Sequence, residues 1–265
     1  MALADTPWSG DGDNKLYLQS GQFSATMKTS LDVSLVDTGV SGISWDGTNT
    51  PWTGVIDDKL YLQSGQFSVT IKTSMSYLAF EPLAQDISWD GTNTPWTGTD
   101  DQLYLQSGQF SATMKTSRSI TAVSTNPTGI SFDGPNTPWS GTVPNIKLYV
   151  QSGQFSATLK TSLSVSAVET SVRAVSWDGT NSPWCGRTDI KLYLQSGQFS
   201  ATMKTSLLVS AVDVDPEGID TNKVTLRIAG AAAGASGDQT YPQQLNYREP
   251  SWYDDLKHPG RWRNC

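Results

Sequence analysis

The sequence predicts an all-β fold, a five-bladed β-propeller built from four-stranded repeats of about 44 residues. Three observations carry it. The phrase Lys-Leu-Tyr-Leu-Gln-Ser-Gly-Gln-Phe-Ser recurs with little change, its tyrosines at Tyr17, Tyr61, Tyr104, Tyr149 and Tyr193. A Pro-Trp pair recurs at Trp8, Trp52, Trp96, Trp139 and Trp184 at the same period. Short apolar/polar alternations punctuated by turn residues fill each unit, and no helical period is sustained.

The second unit shows each element in order. Gly42-Ile43-Ser44-Trp45-Asp46 alternates and ends in an Asp-Gly turn, which predicts a first strand. Thr50-Pro51-Trp52-Thr53-Gly54 is a second strand, followed by a polar loop from Val55 to Asp58. Lys59 to Gln63 is the third, with Leu60 and Leu62 on one face and Tyr61 on the other. Ser64-Gly65 is a tight turn, since glycine reaches positive φ without strain. Gln66 to Thr73, with Phe67, Val69 and Ile71 alternating, is the predicted fourth strand.

The ends predict closure. Ile-Ser-Trp-Asp-Gly or a close variant begins at Ile43, Ile87, Ile130 and Val175, four copies against five of the tyrosine phrase. The first unit lacks it. After the fifth unit, Asp215-Pro216-Glu217-Gly218-Ile219 enters a sixth copy in register with Asn126 to Ile130 and runs on to Val224, Leu226 and Ile228. This segment is expected to supply the missing first strand of the first blade, which removes the open sheet edges of a linear array; a non-closing solenoid is the alternative. The units resemble propeller repeats with a Pro-x-Gly-Ile strand, a short Trp strand and a Leu-Tyr strand. They are also similar to tandem repeats of uncharacterised proteins of tailed bacteriophages, marine ones especially. The resemblance covers about residues 5 to 228 and brings no catalytic residues; it implies a virion protein.

Composition narrows the function classes. The net charge is −7 and the pI near 4.6, which argues against nucleic acid as a partner. The two cysteines, Cys185 and Cys265, make no disulfide scaffold or zinc set, and Cys185 stands where other units have Ser9, Thr53, Thr97 and Ser140. The N-terminus has no basic region or apolar stretch, so no signal peptide is expected, and no run reaches membrane-span length. No cofactor is implied.

Five sets of residues are candidates for chemistry. Exposed aromatic faces stack on sugar rings, which makes Trp8, Trp52, Trp96, Trp139 and Trp184 the candidate glycan contacts; packing between blades is the blander and preferred reading. Asp46, Asp90, Asp133 and Asp178 would form a carboxylate ring able to hold calcium, against the commoner use of Asp-Gly as a turn cap. The amides of the Gln-Ser-Gly-Gln turns could bond saccharide hydroxyls, against a solvated hairpin turn. Lys28, Lys72, Lys115, Lys160 and Lys204 recur at one strand position and read as a solvated face. The single histidine, His258, completes no triad. No Asp or Glu marks one blade as special, so no catalytic residue is assigned and no metal site is expected. The loops Asp11–Asn14, Val55–Asp58, Thr99–Gln102, Thr142–Ile146 and Arg187–Ile190 vary on a constant frame. Tyr77 to Pro82 reads as an apolar insertion without counterpart, exposed and available for contact.

The texture changes after Ile228. Residues 1–228 form the repeat domain, 229–240 a Gly/Ala linker, and 241–265 an extended arm rich in aromatics, Pro and Arg. Trp252, Tyr253, Arg261 and Trp262 are the expected anchors of that arm, because Trp, Tyr and Arg dominate interface energetics. The combined expectation is a non-enzymatic virion part of a tailed phage, in the tail or decorating the capsid. It would be joined to other virion proteins by the arm, contact host surface glycans, and bind neither nucleic acid nor membrane. The alternative is a free multivalent carbohydrate-binding lectin.

Overall fold

A computed structural model describes residues 5–142 and 144–221. The expected linker, the arm, and Trp252, Tyr253, Arg261 and Trp262 lie outside the described residues.

Twenty strands form five four-stranded antiparallel sheets, and no helix occurs among the described residues. Four blades are contiguous in sequence. Their inner strands are Val40–Ile43, Ala84–Ile87, Pro127–Ile130 and Val172–Val175. Blade 1 is composite: the strand Pro216–Ile219 pairs with Thr6–Gly10, with Trp8 opposite Ile219 and Ser9 opposite Gly218. The ring is therefore closed by a strand from the far end of the chain, as the missing copy of the motif predicted. The described closing strand ends at Ile219, nine residues before the predicted alternation at Ile228 ends.

Two predicted strands shift. The inner strand of blade 2 is Val40–Ile43 and stops before Trp45. Its outer strand is Ile71–Ser76, several residues later than the alternation at Phe67 and Val69 suggested. The reason is local. Gly65 and Phe67 both have positive φ, 61° and 63°, so the chain is still turning there. All five phenylalanines of this turn share that left-handed conformation. The repeated Ser-Gly-Gln-Phe is thus a wide turn with an inward ring rather than the start of a strand.

The core lies between blades. Each Pro-Trp indole is fully buried and stacks on the tyrosine directly opposite on the third strand, with ring centroids 4.0 to 4.2 Å apart. Such pairs are worth about 0.5–1.5 kcal/mol beyond the area they bury. The Trp/Tyr face of one blade packs on the leucines of its neighbour: Trp52 and Tyr61 on Leu16, Trp96 and Tyr104 on Leu60 and Leu62, Trp8 and Tyr17 on Leu192 and Leu194. The Leu-Tyr-Leu alternation is thus a two-sided adhesive, one face for each neighbouring blade. The outer strands are half exposed.

Candidate functional site

The connection from each outer strand to the next blade sets the geometry of one face of the ring. Asp37, Glu81, Glu169 and Asp213 sit in these connections and are all buried. Each reaches the hairpin loop of the following blade. Asp37 accepts from the N–H of Gly39 at 2.8 Å and Asp57 at 3.0 Å; Glu81 accepts from Asp100 N–H at 3.0 Å and the Thr99 hydroxyl at 2.7 Å. Glu169 accepts from Asp189 N–H, and Asp213 from the Tyr17 hydroxyl at 3.1 Å. The segment Tyr77 to Pro82 therefore does have counterparts. Tyr77 occupies the place of Val33, Ile120, Val165 and Val209, is fully buried, and donates its hydroxyl to the Gly54 carbonyl at 2.9 Å. Its other apolar residues, Leu78, Ala79, Phe80 and Pro82, are exposed, beside Leu83 and, in the other loops of that face, Leu35, Ile56, Val168 and Val214.

On the opposite face the Asp-Gly turns cap themselves. Asp46 accepts from the N–H of Thr48 at 2.7 Å and from Asn49 Nδ2 at 3.2 Å. It also accepts from Gln109 of the next blade. Gln22–Asp178, Gln154–Asp90 and Gln198–Asp133 repeat this clasp. The carboxylate oxygens are occupied by donors, so the turn-cap reading holds over the calcium ring. The amides considered for saccharide hydroxyls are spent inside the protein: the first glutamine of each phrase, as in Gln63, donates to the carbonyl of Ser68 and its equivalents. The glycan expectation for Trp8, Trp52, Trp96, Trp139 and Trp184 is corrected in the same way, because an indole closed between two blades has no face to offer a sugar. Of the lysines, Lys28 pairs with Asp5 at 2.6 Å, and Lys115 and Lys204 reach Asn93 and Asn181.

The inner strands converge on the axis. A Cβ on Gly42 would lie 2.5 Å from Asp86 Cα, and one on Gly218 would lie 2.7 Å from the Ser41 carbonyl oxygen. Small residues are needed there, and Gly42, Gly129, Ala174 and Gly218 supply them. Asp86 breaks the series. It is buried; one carboxylate oxygen accepts from the Ile130 N–H at 2.9 Å and the other has no partner. Desolvation pushes its carboxyl well above the usual range. Asp220 replaces the serine found at Ser44, Ser88, Ser131 and Ser176. It accepts from the Ser44 hydroxyl at 3.0 Å, the Trp45 N–H at 2.6 Å and the Ser176 hydroxyl at 2.7 Å, tying blade 1 to both neighbours. Burial raises it too.

A cavity of about 210 Å³ opens at the axis on the variable-loop face. Blades 1 and 5 give it charge: Asp11, Glu217, Arg173 and Arg187. Blade 2 gives it Val40, Val55 and Ile56. Arg187 pairs with Asp215 at 2.6 Å and Arg173 approaches Glu217 at 3.4 Å. Burial pushes Glu217 from its ordinary value near 4.5 up to about 8, against the pull of Arg173. Acidic groups thus do single out blades, contrary to the expectation from the repeats. They stand at motif edges, where Gly-to-Asp at 86, Ser-to-Asp at 220 and Ser/Thr/Gln-to-Glu or Arg at 217 and 173 are visible once the five inner strands are aligned.

No family model matches the sequence, and no curated protein matches it. Solved structures match in fold. A chain of a nidogen/laminin complex superposes with a TM-score of 0.56 at 11% identity, over 83% of this chain and 98% of that one. The glutaminyl cyclase of Myxococcus xanthus superposes with a TM-score of 0.50 at 8% identity, over 72% of this chain and 89% of that one. At these identities the likeness is one of fold, a β-propeller.

Proposed function

We propose that the protein is a non-enzymatic assembly or attachment component, of the tailed-phage virion kind that its repeats resemble, in the tail or on the capsid. One observation supports this reading above the others. All five sheets are complete with the strand that ends at Ile219, yet the sequence continues to Cys265. The Trp, Tyr and Arg content of the later residues suits an anchor on a neighbouring virion protein. The ring then serves as a display frame. Its constant blades carry loops that vary and expose Leu35, Ile56, Leu78 and Phe80 on one face, which suits contact with protein or host surface. The multivalent lectin reading loses its strongest residues with the burial of the five indoles.

Deletion of residues 229–265 tests the proposal. The truncated chain is expected to fold and unfold as the full one does, and to be absent from purified particles by mass spectrometry when supplied in place of it. Incorporation at the normal level would overturn the reading.

A further inference from the structure

Two neighbouring blades depart from the repeat together on the variable-loop face. Three of the connections between blades carry the same kind of triplet, Thr121-Ala122-Val123, Ser166-Ala167-Val168 and Ser210-Ala211-Val212. The connection onto blade 2 has Leu35 in place of the alanine. The connection onto blade 3 has Leu78 in place of the serine and Phe80 in place of the valine. In the hairpin of blade 2, Ile56 stands where blades 1 and 5 have Gly12 and Thr188. All four enlarged side chains are exposed, Leu35 fully. Enlargement at a buried position fills a core; here it adds apolar surface to water, which the fold does not call for.

The same two blades carry extra acid. Asp13, Asp57, Asp100 and Asp189 are equivalent, each donating its backbone N–H to the acid of the preceding connection. The next residue is Asp58 in blade 2 and Asp101 in blade 3, against Asn14, Ile146 and Ile190 in the others. A lysine follows in four blades, and Gln102 in blade 3. Lys15, Lys59 and Lys191 lie 3.4, 3.3 and 3.6 Å from their aspartates, whereas Asp100 has the uncharged Gln102 amide at 2.9 Å. The hairpin of blade 3 thus holds two acids and no base. Blade 5 goes the other way, with Arg187 and Lys191 against Asp189.

Apolar and acidic groups are held side by side. The Leu83 carbonyl accepts from the Thr99 N–H at 3.2 Å, and the Phe80 carbonyl from the Tyr104 hydroxyl at 3.3 Å. The Tyr104 hydroxyl also donates to the Asp100 carboxylate. On blade 2, Asp37 accepts from the N–H groups of Ile56 and Asp57. Each connection is therefore strapped to its hairpin, and the surface is formed in advance of any partner.

We propose that the loops of blades 2 and 3 are a docking surface for a cationic amphipathic segment of a partner protein, one that alternates Lys or Arg with large apolar side chains. Charge selects this occupant. An anionic bilayer would be repelled by Asp57, Asp58, Asp100 and Asp101, and a second copy presenting the same face would meet the same charges. A basic segment instead pairs with these acids while its apolar side chains cover Leu35, Ile56, Leu78 and Phe80. The inference rests on the display-frame reading and gives it a class of partner. The two fail separately, because particle incorporation reads residues 229–265 and the binding below reads the loops of blades 2 and 3.

Fluorescence anisotropy of a labelled peptide of alternating Lys and Leu, titrated with the full chain, tests this. Peptides of alternating Glu and Leu, and of alternating Lys and Ser, are the controls. The Lys/Leu peptide is expected to bind, and each control at least about tenfold more weakly. The variants restore residues that other blades already carry, so the fold tolerates them. Leu78→Ser combined with Phe80→Val is expected to weaken binding about fivefold or more. Gln102→Lys is expected to weaken it about threefold at low salt, with the difference vanishing at high salt. Val69→Ala, at an exposed position on the opposite face, is expected to change nothing. Absence of Lys/Leu binding would overturn the proposal, as would a control peptide binding equally well. So would undiminished binding in the Leu78→Ser/Phe80→Val variant, or an equal loss in Val69→Ala. Self-association of the full chain, or its binding to anionic vesicles, that disappears in the same double variant would assign the face to a second copy or to a membrane and overturn it too.

Discussion

At the scale of single residues, the fold depends on contacts too close to admit a methyl group. A Cβ on Gly54 would fall 2.2 Å from Asp37 Oδ2 and 2.6 Å from the Tyr61 ring. Gly98 meets Glu81 and Gly186 meets Glu169 in the same way. The glycine and the loop acid form a lock, since the acid can reach the next hairpin only across a bare backbone. Gly54→Ala is expected to cost about 1–3 kcal/mol through overpacking, read as a lower midpoint in thermal unfolding. Titration supplies a second residue-scale prediction. Glu217 has a folded value of about 8 against an ordinary value near 4.5, facing Arg173, Arg187 and Asp215. The protonated form is favoured in the folded state, so its contribution to stability is complete below about 4.5 and is lost as pH rises through about 8. Asp86 and Asp220 shift in the same direction. The melting temperature is expected to fall across this window, and Glu217→Gln to flatten the fall.

At the scale of elements, the Gln-to-Asp clasp joins neighbouring blades on the face away from the cavity. Four clasps are made among the described residues. The fifth glutamine, Gln66, has a buried Nε2 without a partner. In the sequence, the copy of the motif that serves blade 1 reads Ile219-Asp220-Thr221-Asn222, with asparagine where the others have Asp46, Asp90, Asp133 and Asp178. Gln109→Ala should cost about 1–2 kcal/mol, because it strands part of a carboxylate. Gln66→Ala should change stability by less than about 0.5 kcal/mol; equal losses in denaturant melts would refute the distinction. The strands were legible in the sequence where side-chain alternation governs them, as in Thr50–Gly54 and Lys59–Gln63. They were not legible where conformation overrides pattern. Phe67 alternates correctly with Ile71 yet lies in the left-handed region, and nothing in a residue's hydrophobicity reports φ. The site was less legible still. The burial of the five indoles agrees with the preferred reading of packing between blades and leaves the glycan alternative without its residues, whereas Asp86 passed unnoticed because a single replacement is faint against five long near-identical phrases.

At the scale of the whole molecule, three bonds converge on blade 1. The closing strand pairs with Thr6–Gly10, Asp213 grips the Tyr17 hydroxyl, and Asp220 spans blades 2 and 5. Cooperative folding of the ring is expected to depend on all of this short stretch. A chain ending at Thr221 should remain monomeric in size-exclusion chromatography and melt in one transition. A chain ending at Asp215 leaves the edge of Thr6–Gly10 unpaired, and it should associate and melt broadly.

The seam also decides how the ring bears load. Residue 222 onward is covalently continuous with Pro216–Ile219, so tension applied through the C-terminal residues arrives first at the strand that shuts the ring. That strand is four residues long and holds one flank of a single sheet. A tether attached there makes the closure the mechanical fuse of the molecule: pulled hard enough, the ring opens at blade 1 before any contiguous blade yields.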